Sequence, residues 1–170
     1  MPNWAEFNMR IRGKKEDCEI FKAILYHENE KLFFHRTFPS ENYTEGEVDT
    51  EYFMEFYGEC AWSFLTSMGM VHLYSDFPPS STVCDISKRL DLSVEIYTTE
   101  PNDQFAEHYY CKSGKVLIDE CVDYEEYWWD EDECPTIDNF NAEYGTHFTV
   151  DDFADGYAWI GGFNSWEWAS

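Results

Sequence analysis

Residues 92–122, LSVEIYTTEPNDQFAEHYYCKSGKVLIDECV, decide how this chain is to be read. Three runs within it, 92–99, 104–111 and 115–122, are rich in β-branched and aromatic residues and read as strands. Pro101-Asn102-Asp103 supplies one turn, and Ser113-Gly114 supplies a tight hairpin. Strands that follow one another through short turns, the second a tight hairpin, point to an antiparallel or mixed sheet.

Working outward, the "DFPPSS" segment ends a strand over 70–75 and offers Ser80 or Ser81 as the cap of a helix over 81–90. Residues 51–64, "EYFMEFYGECAWSF", are ambiguous between strand and helix, and Gly58 argues for a break in either. Residues 39–50 read as a polar loop and 31–38 as a strand. In residues 15–28, Cys18, Phe21, Ile24 and Leu25 recur at helical spacing with charges opposite. In residues 5–12, Phe7, Met9 and Ile11 alternate with Asn8, Arg10 and Arg12, the period of a half-buried strand that Gly13 ends. The order β-α-β…β-α-β-β-β implies an α+β two-layer sandwich, an antiparallel or mixed sheet with two helices on one face.

Several of these landmarks resemble the YubB-like family of ferredoxin-like proteins carried by phages and plasmids. They are the opening Met1-Pro2-Asn3-Trp4, the strand ending at Gly13, the Phe77-Pro78-Pro79 turn, the Glu100-Pro101-Asn102-Asp103 turn with Phe105, and the Ser113-Gly114 hairpin. Ala5 stands where the family has Cys, and Asn102 where it has Gly, a replacement that tolerates positive φ. The resemblance covers residues 1–122. It implies a ferredoxin-like fold and a mobile-element origin, and it carries no catalytic residue. Residues 123–170 then form an acidic, aromatic C-terminal extension. Within it Thr149 and Asp152 resemble a capping box for a helix over 150–160, and Trp159, Phe163, Trp166 and Trp168 dock the extension on the body.

Charge is the outlier. The 170 residues carry 35 Asp and Glu against 11 Lys and Arg, a net charge of −24. A small domain needs a magnitude of only about 2–8 for solubility. Such a surface repels nucleic acid and anionic membrane and attracts basic proteins. The only basic cluster is Arg10, Arg12, Lys14 and Lys15. The acids peak in residues 119–133, "DECVDYEEYWWDEDE", where nine of fifteen residues are acidic and four aromatic. There Tyr124, Tyr127, Trp128 and Trp129 are candidate anchors, and Asp123, Glu125, Glu126, Asp130, Glu131, Asp132 and Glu133 candidate phosphate mimics.

Enzyme signals are weak. The chain has no G-x-S-x-G, Walker A or G-x-G-x-x-G motif, and no two histidines sit at metal-ligand spacing. Residues 130–133 lack the glycine of a calcium loop. No cofactor, metal or catalytic residue is assigned. The six cysteines form no C-x-x-C pair, no secretory signal is evident, and reduced thiols in a cytoplasmic protein of a bacterial host are expected. The leading expectation is a mobile-element anti-defence inhibitor, of anti-CRISPR or antirestriction type. It would bind the basic nucleic-acid channel of a host enzyme by DNA mimicry. The alternative is a non-catalytic interaction or regulatory module.

Overall fold

The computed structural model describes residues 3–64, 70–72, 82–100 and 105–123, together with positions 138, 141, 142, 147 and 149. The Pro-Pro turn, the turn at 101–104, the helix over 150–160 and the four tail aromatics lie outside the described residues.

The described elements, in chain order, are β1 (Trp4–Gly13), α1 (Lys15–Leu25), β2 (Leu32–Phe34), β3 (Thr37–Pro39), β4 (Thr44–Val48), β5 (Glu51–Ala61), β6 (Met70–His72), α2 (Val83–Leu90), β7 (Ser93–Glu100), β8 (Phe105–Lys112) and β9 (Lys115–Asp123). The chain is α+β. Seven strands form one antiparallel sheet in the order β9-β8-β7-β1-β5, with β3 and β4 both paired to β5. Strands β2 and β6 make a separate two-stranded sheet.

Strand β1 is the centre. Its alternation buries Ala5, Phe7, Met9 and Ile11 on one face. Met9 lies between Phe56 and Ile96, and Ile11 between Met54 and Val94, so three strands present aligned apolar rows. Cys18, Phe21, Ile24 and Leu25 of α1 and Val83 and Ile86 of α2 close over these rows in a single core. Full burial of each large apolar side chain there contributes roughly 1.5–3 kcal/mol.

The expected strands over 5–12, 92–99, 104–111 and 115–122 are present, with limits shifted by one or two residues. Five other readings change. Helix α1 stops at Leu25 and not at 28, because His27 turns left-handed at φ 60° and the Glu28 N–H bonds back to the Ala23 carbonyl at 2.8 Å, a Schellman end. The strand expected over 31–38 is two strands in different sheets, divided at Arg36 with φ 53°. The polar loop over 39–50 contains β4, an exposed five-residue strand of mostly polar residues. A two-residue turn joins β4 to β5, with positive φ at both Asp49 (52°) and Thr50 (75°). Such a turn favours Asn-Gly or Asp-Gly, and Thr in the second place concealed it.

Residues 51–61 form one unbroken strand straight through Gly58. That glycine marks a close approach and not a break. A Cβ there would lie 2.3 Å from the Phe38 carbonyl oxygen and 2.7 Å from the Pro39 Cα. Helix α2 is capped by Thr82, not by Ser80 or Ser81. The Thr82 N–H donates to Asp85 Oδ2 at 2.8 Å and the Asp85 N–H to Thr82 Oγ1 at 3.4 Å, a reciprocal box. The 113–114 hairpin turns as expected, with φ of 47° at Ser113 and 82° at Gly114.

Replacing Gly58 by Ala forces β3 away from β5 and is expected to cost about 1–3 kcal/mol. Thr82→Ala removes the cap and is expected to cost about 1 kcal/mol. Urea denaturation of both variants against the parent measures this, and a Gly58→Ala protein as stable as the parent would refute the close approach.

Candidate protein-interaction face

The even-numbered residues of β1 point away from the helices. Strand register extends each of them into a row, because directly opposed residues in an antiparallel sheet share a face. One row reads Phe38, Glu59, Glu6, Thr99. The next reads Tyr57, Asn8, Tyr97, His108. The third reads Glu55, Arg10, Glu95, Tyr110. This second face is polar and aromatic, and its two halves differ.

The half on β7 and β8 is buried. All eight residues of β7 are buried, so both of its faces are covered. Glu95 is 0% exposed, and a buried carboxylate must be hydrogen-bonded or paired. His108 Nε2–H donates to Glu95 Oε1 at 2.7 Å, and the Tyr97 hydroxyl donates to the same oxygen at 3.3 Å. The Tyr97 and His108 rings stack at 4.3 Å with an interplanar angle of 11°. Arg10 stands opposite Glu95, pairs with Glu55 and lies 5.9 Å from the Phe53 ring centre. Burial lowers the Arg10 pKa, and the charges of Glu95 and Tyr97 oppose that shift. A histidine held by a carboxylate is a familiar general-base pair. Here both partners are sealed in, and their contacts tie β7 to β8.

The half on β1, β5 and β3 is open. Trp4 is 45% exposed, Phe38 52% and Tyr57 47%, and Glu6 and Glu59 are exposed beside them. Trp4 and Phe38 meet edge to face at 5.4 Å. A groove of about 490 Å³ runs between these strands, lined by Glu6, Asn8, Phe38, Pro39, Tyr57 and Glu59. Glu6 and Glu59 are direct cross-strand neighbours, an arrangement of like charge that costs stability. Beyond them the β4–β5 hairpin exposes Glu51 on this face and Asp49 in its turn, with Glu45 and Glu47 exposed on the opposite face, across from Met54 and Tyr52.

Of the residues expected to bind a partner, Asp123 closes β9, opposite Phe105. Tyr124 through Glu133 lie outside the described residues. Trp4, Glu6, Phe38, Tyr57 and Glu59 were missed by sequence reasoning. They come from three separated segments, and only the outward phase of β1 marked any of them. The basic cluster is divided. Arg10 pairs with Glu55 and Arg12 with Glu51 at 2.6 Å on the polar face, while Lys15 lies 5.0 Å from the Tyr52 ring centre.

Cys18, Cys60, Cys84 and Cys111 are free thiols. Burial pushes the thiol pKa up to about 12 in Cys18 and about 12 in Cys111, and raises that of Cys60 as well. Such thiols are packing residues, since the thiolate is the nucleophile. Among the described residues no group of His, Cys, Asp and Glu is arranged to hold a metal, and no helix is long and apolar enough to cross a membrane.

Fold and face together define an α+β protein with an acidic, aromatic sheet surface. Set against models of protein families, curated protein sequences and solved structures, the chain matches none of them.

His108→Ala takes a partner from a sealed carboxylate and is expected to cost about 2–4 kcal/mol in urea denaturation. Tyr57→Ala on the open half is expected to stay within about 0.5 kcal/mol. Alkylation at pH 8, read peptide by peptide, is expected to modify the exposed Cys121 at least about tenfold faster than Cys18 or Cys111. Unfolded, these two buried thiols ionise near 9.0, and folded near 12. They therefore contribute stability that is complete below about pH 9 and is lost as pH rises towards 12.

Proposed function

We propose that this chain is a non-catalytic interaction protein that places an acidic, aromatic surface in the electropositive groove of a nucleic-acid-binding protein. The observation that carries the reading is the open half of the second sheet face. Glu6 and Glu59 face each other there at a cost to the fold, among three exposed rings, on a chain of net charge −24. Opposed side chains in a sheet stand about 5 Å apart, a charge spacing of the same order as that of phosphates along a DNA strand. Charge of this sign speeds encounter with a basic channel, and desolvated rings prolong the complex.

The architecture is read as ferredoxin-like. In support, β1 lies between β5 and β7, with β4 outside β5, so α1 and α2 each sit in a split β-α-β crossover. Strands β8 and β9 then extend the sheet. The YubB-like landmarks supply a mobile-element setting, in which host nucleases are the obvious basic targets. The concrete form of the proposal is an anti-CRISPR or antirestriction inhibitor acting in the cytoplasm of a bacterial host.

Affinity capture from a bacterial lysate is expected to recover a basic nuclease or helicase, and the protein is expected to inhibit it. Inhibition should weaken at least about tenfold as salt rises through a few hundred millimolar. Two charge-removal sets locate the mimic: Glu6→Gln with Glu59→Gln, and Asp130→Asn, Glu131→Gln, Asp132→Asn with Glu133→Gln. Loss of inhibition in the first set, with a melting temperature unchanged or raised, is the expected result. Loss only in the second returns the site to the 123–133 stretch. Recovery of a basic partner without nucleic-acid activity favours the plain interaction module.

A further inference from the structure

We propose that the groove between β1, β5 and β3 is an arginine-recognition site, which takes a guanidinium from the basic partner between the Glu6 and Glu59 carboxylates and the rings of Phe38 and Tyr57. The inference rests on the reading of the face as a site for an electropositive protein, and it names the side chain recognised.

Four observations converge. Among the described residues, Glu55 and Glu51 on or beside this face take Arg10 and Arg12, whereas no Lys or Arg pairs with Glu6 or Glu59. On this face Glu55 and Glu51 have taken an arginine of the chain, and the opposed pair Glu6 and Glu59 has not. Next, these two carboxylates border a depression of about 490 Å³, room for a guanidinium with its stem, so they do not merely line a convex surface. Third, Phe38 stands directly beside Glu59, and Tyr57 lies one row away beside Asn8, so rings adjoin the acids in two neighbouring rows. Both rings are about half exposed, at 52% and 47%. Last, Gly58 lets β3 approach β5 closely, and the Ser40 N–H donates to the Tyr57 carbonyl at 2.8 Å just beyond β3. The groove's outer wall is thus part of the sheet and does not need to be ordered by the ligand.

The chemistry favours arginine over lysine. A guanidinium is planar and weakly hydrated, forks onto a carboxylate through two N–H donors and stacks on a ring at the same time. An ammonium is a compact, strongly hydrated charge that forgoes the second contact. The chain itself shows the ring half of this pairing, with the Arg36 guanidinium 5.0 Å from the exposed Trp62 ring.

The test titrates the full chain with fluorescein-labelled octa-arginine and octa-lysine at equal ionic strength, followed by anisotropy. Octa-arginine is expected to bind about tenfold more tightly than octa-lysine. Glu6→Gln with Glu59→Gln should erase that preference, and Phe38→Ala should reduce it. The control, Glu45→Gln with Glu47→Gln on the β4 edge, removes equal charge and is expected to weaken both peptides alike while keeping the preference. All these positions are exposed, and circular dichroism checks that each variant is folded. Equal binding of the two peptides, or a preference lost equally in the control, overturns the arginine site while leaving the acidic-face reading intact. No binding of either peptide overturns both.

Discussion

The two-edged pairing of β1 is the constraint on which everything else depends. This strand is bonded to β5 along all ten of its residues and to β7 along seven. Because strand side chains alternate, its phase assigns Phe7, Met9 and Ile11 to the helices and Glu6, Asn8, Arg10 and Arg12 to the opposite face. A slip of one residue would push two arginines under α1 and expose Met9 and Ile11. The penalty for burying unpaired guanidinium groups is large enough to exclude that register. The helical core and the polar face are two consequences of one alignment.

The polar face is used in two ways because its strands differ in cover. On β7 and β8, acids and rings are sealed and satisfy one another through Glu95, His108 and Tyr97. Low dielectric strengthens these contacts and makes any vacancy in them costly. On β1, β5 and β3 the same residue types meet water, and Glu6 and Glu59 oppose each other with no fold-stabilising return. Residue type alone did not set these roles. His108 and Tyr57 stand in the same row, three strands apart, one sealed and one open.

Local signals predicted the strand at 5–12 and helix α1 from the period of their apolar residues, the strands within 92–122 from their composition and turns, and helix α2 from a cap after the prolines. Where a segment is held by a neighbour, they failed. Thr44–Val48 has the composition of a loop and becomes a strand only because β5 supplies hydrogen-bonding partners along its length. Gly58 carries the signal of a breaker and acts as a spacer, a distinction made by the Phe38 carbonyl from another strand. The local density of charge drew attention to residues 123–133. The open groove assembles from residues 6, 8, 38, 57 and 59, none of which is locally dense.

The sequence by itself determined the α+β class, the apolar phase of β1 and α1, and the large negative charge. Periodicity and composition are properties of neighbours along the chain, and they can be read without knowing what lies across a sheet. Only the tertiary structure decided which carboxylates are neutralised and which are left open. That outcome depends on cross-strand register, which sets Glu55 beside Arg10 and Glu59 beside Glu6 from positions about fifty residues apart. Electrostatic pairing acts over a few ångströms of space, and separation along the chain does not encode it.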